Sequence, residues 1–294
     1  MGNCDGDDQK TPTGVTHGCG LYLLVLTQEG QPAINRIQSH EITPLPAAYY
    51  SGFGKLETTI ISSKNRAGWD THPITTQTGR AFVRAKLISI QVGIPRTVQI
   101  DREEITTGIF KTPIEKRIPL HWLNLEGDQQ ADLTVHGGRD KAVYVYPSEH
   151  YPYWKKQLPG VNLPWGAFGE NFTTAGLVED TVCLGDRFTI GTAEVVVTQP
   201  RLPCFKLNLK FDRADMAKRF LASRRSGFYL RVLREGEVGP GDEIVRIHQD
   251  ENRVSISDAL RIYLHEASSN ELVHRALQVE YLSPSWREKF AQEI

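Results

Sequence analysis

The chain has 294 residues, enough for one large or two ordinary domains, and 39% hydrophobic with 23% charged residues is the composition of a soluble globular protein. A formal net charge of -1 gives no support for a polybasic nucleic-acid binder, and no apolar run reaches the roughly 20 residues that span a bilayer. Cys4, Cys19, Cys183 and Cys204 show neither a CxxC pair nor zinc-finger spacing, which argues against a disulfide scaffold and for a reducing, cytoplasmic setting.

Residues 1–82 are rich in Gly, Thr, Ser and Pro, and Gly18-Cys19-Gly20, Pro44-Leu45-Pro46 and Gly52-Phe53-Gly54 interrupt any periodicity. The stretch reads as an extension of low order. Leu21 to Leu26 is too short for a signal-peptide core, and Asp5, Asp7 and Asp8 occupy the place of a basic n-region. Gly6 stands where a myristoylation signal needs Ser or Thr. The only methionines are Met1 and Met216, so a gene starting at a non-Met codon near Val83 would be extended upstream by any rule that demands Met. Residues 1–82 are either such an addition or a genuine flexible arm; mass spectrometry of the natural N-terminus decides.

From residue 84 the pattern sharpens. Lys86 to Val92 reads as a strand, followed by short strands at Val98 to Asp101 and Ile105 to Phe110. Ala142-Val143-Tyr144-Val145-Tyr146 is apolar, β-branched and aromatic, hence a buried strand. Ser148 is expected to cap a helix to about Leu158, with Pro152 in its first turn. Thr181 to Ile190 and Glu194 to Thr198, joined through Gly191-Thr192, form a hairpin signal. Asp212 to Asp215 opens a helix to about Ser223, and Phe228 to Leu233 and Glu243 to Ile247 are further strands. Many short strands with Gly and Pro turns indicate a barrel or sandwich, a mainly β fold with peripheral helices over residues 83–250. Residues 251–294 then carry helical spacing three times, at Ser257 to Leu264, Asn270 to Val279 and Pro284 to Gln292. They form a small three-helix unit whose role is either a stabilising appendage or a docking surface.

The most informative stretch is Gln199-Pro200-Arg201-Leu202-Pro203-Cys204-Phe205-Lys206. Two prolines restrict the backbone around a cysteine. Arg201 and Lys206 favour the thiolate, the form that binds metals and attacks electrophiles. Three other clusters are candidates. In His136-Gly137-Gly138-Arg139-Asp140-Lys141 the paired glycines allow close backbone approach to an anion, and Arg139 and Lys141 add charge; a tight turn is the alternative. Phe168-Gly169-Glu170-Asn171 is a structural turn on its own. Glu126, Asp128 and Asp132 are either acid–base carboxylates or, as favoured on local grounds, a solvated loop. A zinc site from Cys204, His136 and His150 lacks any ligand pair with knuckle or helical spacing. A Cys204 hydrolase paired with His136 or His150 lacks an orienting third group. His150 is expected to pack against Tyr146, and Cys183 to be a small core residue.

Taken together, Val135 to Ala142, Tyr146 to Tyr151, Phe168 to Asn171, Gly185-Asp186 and Gln199 to Leu207 resemble, in this order and spacing, the MOSC domain, the C-terminal domain type of molybdenum cofactor sulfurases. They are more similar still to its bacterial stand-alone branch, the YiiM-like proteins associated with 6-N-hydroxylaminopurine resistance, in which three helices follow the domain. The resemblance implies a β-barrel-like fold that binds the molybdenum cofactor (molybdopterin). It makes Cys204 a molybdenum ligand or the carrier of a transferred sulfur. His136, Gly137, Gly138, Arg139 and Lys141 would hold the pterin phosphate or a neighbouring polar edge, with Arg201 and Lys206 beside the sulfur and Glu170 and Asn171 on the pterin ring. The family's association with pyridoxal phosphate belongs to a domain this sequence does not carry. Two functions follow as expectations: an oxidoreductase that reduces N-hydroxylated compounds with electrons from a separate reductase, or a non-redox carrier of the cofactor or of a Cys204 persulfide. No iron–sulfur motif and no dinucleotide fingerprint accompanies either. Neither needs nucleic acid or membrane, and the oligomeric state is left open.

Overall fold

The computed structural model describes residues 21–26, 32–37, 59–65, 68–74, 85–100, 103–131, 137–266 and 269–294. The chain divides into two compact units, Met1–Ala81 and Phe82–Ile294. The first contains strands where the sequence predicts low order: β1 (Leu21–Leu26), β2 (Pro32–Ile37), β3 (Thr59–Asn65) and β4 (Gly68–Ile74) form an antiparallel sheet in the order β2-β1-β3-β4. The rest of that segment, with Cys4, Cys19 and the glycine and proline clusters, lies outside the described residues.

The second unit is built on a closed barrel. Its strands are β5 (Ala85–Val92), β10 (Val143–Pro147), β11 (Phe172–Ala175), β12 (Arg187–Ile190), β13 (Ala193–Pro200), β14 (Phe228–Arg234) and β16 (Glu243–His248). They are hydrogen-bonded in the order β11-β10-β14-β13-β12-β16-β5, and β5 pairs back onto β11 with Phe172 opposite Ile90. Closure leaves no free edge in the ring. Within it β10 and β11 run parallel and the other neighbours antiparallel. Two antiparallel pairs decorate it: β6 (Arg96–Ile100) with β7 (Glu103–Thr107), and β9 (Ile118–Leu120) with β15 (Gly236–Val238); β8 (Thr112–Ile114) pairs antiparallel with β5. The β12–β13 hairpin is the one expected, though its first strand begins at Arg187 and not Thr181.

Strand β10 explains how the site is placed. Val143 and Val145 point into the main apolar cluster, whereas Tyr144 and Tyr146 join a second, aromatic cluster with Tyr151, Trp154, Phe168, Leu207 and Phe220. A strand side-chain period of two sends alternate residues to opposite faces. Both faces of β10 are buried because helices cover the outside of the barrel there: α1 (Tyr151–Gln157), α2 (Phe205–Phe211) and α3 (Met216–Ala222). Ser148 does not cap α1; it begins a single 3-10 turn, and His150 is the helix N-cap. Helix α2 is absent from the sequence reading, which treats this stretch as loop.

The C-terminal helices are α4 (Ile256–Tyr263), α5 (Asn270–Gln278) and α6 (Pro284–Ala291). Helix α4 opens with a capping box, the Ser255 hydroxyl accepting from the Asp258 N–H at 2.9 Å. Val273, Ala276, Trp286 and Phe290 belong to the same apolar cluster as the barrel interior. The Ile256 N–H reaches the Val182 carbonyl at 2.9 Å, so the three helices are sewn to the barrel.

Candidate functional site

Strand β13 leaves the barrel at Pro200. The Arg201 N–H donates to the Gly227 carbonyl at 3.2 Å, Leu202-Pro203 follows, and Cys204 takes an extended conformation as the N-cap of α2. The register shift between Val197 and Gln199 bends the strand just before this exit. The cysteine, half-buried, faces a cleft of about 110 Å³. Four cations and one carboxylate line that cleft: Lys111, Lys141, Arg201, Lys206 and Asp128. Tyr144, Phe168 and Tyr229 form its aromatic wall.

Arg201 is the most informative of these. It is 5% exposed, and its guanidinium lies over the rings of Phe220 (4.8 Å) and Tyr144 (5.2 Å). Its Nη1 is buried without a hydrogen-bond partner. An orphaned charged N–H at the wall of a cleft is a vacant position for an anionic acceptor. Burial works against the charge, but Tyr144, Tyr229 and Cys204 together keep Arg201 raised above the ordinary arginine value.

The glycine turn is set by Gln130. Its Oε1 accepts from the Gly138 N–H at 2.8 Å, and its Nε2 donates to the carbonyls of Leu123 (2.6 Å) and Lys141 (3.2 Å). Gly138 has φ +89, a conformation suited to glycine. Gly169 (φ +85) sits against Ile109, where a Cβ would come within 2.7 Å of Cγ1. Inside the motif Asp140 is structural, its carboxylate accepting from the Arg231 Nε at 2.6 Å.

The cleft therefore unites Lys141, Asn171, Arg201, Cys204 and Lys206. Arg139 is exposed and outside the cleft lining, and its guanidinium lies 5.5 Å from the Trp122 ring. Glu170 lies outside the lining as well. It is fully buried, and its carboxylate accepts from Tyr151 Oη, the N–H groups of Gly166 (2.8 Å) and Phe168 (3.0 Å), and Thr173 Oγ1 (3.1 Å). It organises the loop Gly166–Phe168. The Asn171 amide is likewise committed, donating to Asp128 Oδ2 (2.9 Å) and Gln91 O (3.3 Å) and accepting from the Tyr144 N–H (3.1 Å). Gly137 and Gly138 are not part of the lining. His136 and Asp132 lie outside the described residues.

Lys111 and Lys210 escaped the sequence reading, and the alternative favoured there for Asp128 does not hold. Asp128 is not in a solvated loop: it is 5% exposed and bound to Lys111 Nζ at 2.5 Å. Burial pushes the Lys111 ammonium below its ordinary range, with Asp128 opposing. Lys210, donating to Ile109 O (2.8 Å) and Gly166 O (2.5 Å), is lowered by burial to about 8, with Lys111 and Arg201 adding to the effect. No motif marks these residues, because their partners are distant in sequence. His150, by contrast, packs on Tyr146 as expected (centroids 5.3 Å) and pairs with Glu179 at 2.7 Å. Cys183 is a buried residue whose thiol is pushed up to about 11, chiefly by burial. Among the described residues no cluster of three His, Cys, Asp or Glu could hold a metal, and no helix is long and apolar enough to cross a membrane.

The donor set suits the group that the fold implies. A net positive cleft with an orphaned guanidinium N–H fits an anionic pterin phosphate, and the half-buried sulfur fits a soft, sulfur-rich metal.

Comparison with known proteins agrees. Residues 132–245 match the MOSC domain, and residues 254–292 match the YiiM-like 3-alpha helix domain. The uncharacterized protein YflK of Bacillus subtilis (strain 168) is 44% identical over 210 residues, covering 71% of this chain and 95% of that protein. A protein named Reductase from Gibberella moniliformis is 33% identical over 162 residues, 54% of this chain but only 29% of that protein. The crystal structure of YiiM from Geobacillus stearothermophilus superposes with a TM-score of 0.60 at 38% identity, covering 71% of this chain and 98% of that one. The barrel and the helices behind it thus belong to one kind of protein, and this chain is a member of the YiiM-like family of MOSC-domain proteins.

Proposed function

We propose that this protein is a molybdenum-cofactor oxidoreductase that reduces N-hydroxylated compounds, such as hydroxylaminopurines, to amines, with Cys204 as a protein ligand of the metal. The observation that carries this reading is the cleft that sets the Cys204 sulfur among four cationic side chains, one with an unpartnered N–H. The relative named Reductase supports the redox class. When bound, the cofactor supplies two-electron redox chemistry, and the protein supplies position and electrostatics. Cys204 offers the soft sulfur donor. Arg201, with Lys141 and Lys206, holds anionic oxygens at the cleft. Tyr144, Phe168 and Tyr229 present ring faces and edges to a flat heterocycle. The conversion consumes two electrons and two protons, breaks the N–O bond and releases water. The electrons come from a separate reductase.

The test is an assay of hydroxylaminopurine reduction with a supplied reductant, using protein purified from a host that makes the cofactor. Wild-type protein turns the compound over, and Cys204→Ala does not. Wild-type protein that holds molybdenum and stays inactive with every electron donor would overturn the oxidoreductase reading in favour of a carrier.

A further inference from the structure

The proposed chemistry leaves one buried charged pair unused. Lys111 and Asp128 both line the cleft, with side chains 8% and 4% exposed and Nζ 2.5 Å from Oδ1. Asp128 is itself immobilised from two further sides. It accepts from the Gly93 N–H at 2.8 Å and from Asn171 Nδ2 at 2.9 Å. The charged groups that act on Lys111 are Asp128 and, more weakly, Glu170; Lys111 in turn acts on Lys210. Lys141 and Lys206, the other lysines of the lining, are half-exposed, so water reaches them directly. Lys111 differs in being almost wholly buried in the wall of the cleft and held by a fixed carboxylate.

Reducing an N–OH group breaks an N–O bond, and hydroxide is a poor leaving group unless the oxygen is protonated as the bond breaks. Resting on the oxidoreductase reading, we propose that Lys111 is the proton donor to the departing hydroxyl oxygen, with Asp128 as its positioning partner. The external reductase delivers two electrons in all. The Lys111 ammonium gives one proton to the oxygen, which leaves as water. The nitrogen takes the second proton from solvent, and a further solvent proton restores the ammonium. Burial at this position lowers the basicity of Lys111, which makes its ammonium a better acid than an exposed lysine.

The test compares benzamidoxime with its O-acetyl ester, whose leaving acetate needs no proton, using cofactor-loaded protein and a supplied reductant. Lys111→Gln lowers kcat on benzamidoxime by about 100-fold more than on the ester, the scale of general acid catalysis. Lys111→Arg keeps a cation opposite Asp128 but cannot give up a proton near neutral pH, and shows the same selective loss. Turnover restored by arginine, or equal losses on both probes, assigns Lys111 a structural role and overturns the proposal. Wild-type protein inactive on both probes sinks the oxidoreductase reading instead. A second measurement needs no turnover. In cofactor-free protein, NMR titration of the Lys111 amine shows proton loss below the ordinary lysine range, moved lower still in Asp128→Asn. Titration in the ordinary range contradicts the inference.

Discussion

The helical end of the Phe82–Ile294 unit and its cleft face are built by opposite rules. Around α4–α6 most buried side chains are apolar, Trp286 and Phe290 merge with the barrel interior, and Ser255 pairs with Asp258 in a capping box. Arg275 Nε donates to Asn252 O at 2.9 Å, and Arg287 Nη2 to Val279 O at 2.6 Å. At the cleft, Lys111, Asp128, Glu170, Arg201 and Lys210 are withdrawn from water on a wall of aromatic rings, and one guanidinium nitrogen has no partner. Burying charge destabilises a fold unless pairing offsets it. The difference teaches where each quantity resides: the helical end holds the molecule together, and the cleft face spends that stability on a charged site.

The sharpest way to break this division is Trp286→Ala. Loss of a fully buried indole costs about 4 kcal/mol by the usual cost of emptying a core aromatic site, read by chemical denaturation. The molybdenum bound per folded molecule stays the same. Glu170→Ala comes next. It strips four donors of a buried acceptor and costs about 3 kcal/mol, but here the cleft loop moves too, so cofactor content falls with stability. If Glu170→Ala destabilises without touching the cleft, the carboxylate is not its organiser.

The pH dependence of stability sharpens the same comparison. Below about pH 8 the Lys210 amine is protonated in folded and unfolded chains, and its burial penalty is fully present. Between about 8 and 10.5 the unfolded chain keeps a proton that the folded protein releases, so this group's contribution to stability rises with pH across that window. The gain is about 3 kcal/mol, and Lys210→Met removes that slope. An unchanged slope in the variant assigns it to another group. Ser255→Ala, at the helical end, loses only about 1 kcal/mol, the usual value of a helix cap, with no change at the cleft.

The two ends were not equally legible. Strand β10 and helices α4–α6 announce themselves by β-branched and aromatic runs or by 3.6-residue spacing, because one-sided burial imprints a period on the sequence. Cys204 was legible because Pro200 and Pro203 constrain the backbone and Arg201 and Lys206 flank it. Helix α2 was not, since Phe205–Phe211 is short and mixes apolar with basic residues. The Lys111–Asp128 pair left no joint trace: its members are 17 residues apart, and Asp128 alone read as part of a solvated acidic loop. Glu170 was read locally as part of a structural turn, and the N–H groups of Gly166 and Phe168 folded around its carboxylate agree with that; its pterin role entered only with the family resemblance.

The central claim is that the Cys204 sulfur, set among cations, holds the molybdenum centre. The most direct measurement is the metal content of protein purified from a cofactor-producing host, comparing wild type with Cys204→Ala and Cys183→Ala. The account predicts that only the Cys204 variant loses molybdenum while remaining folded. Equal metal in all three proteins contradicts it.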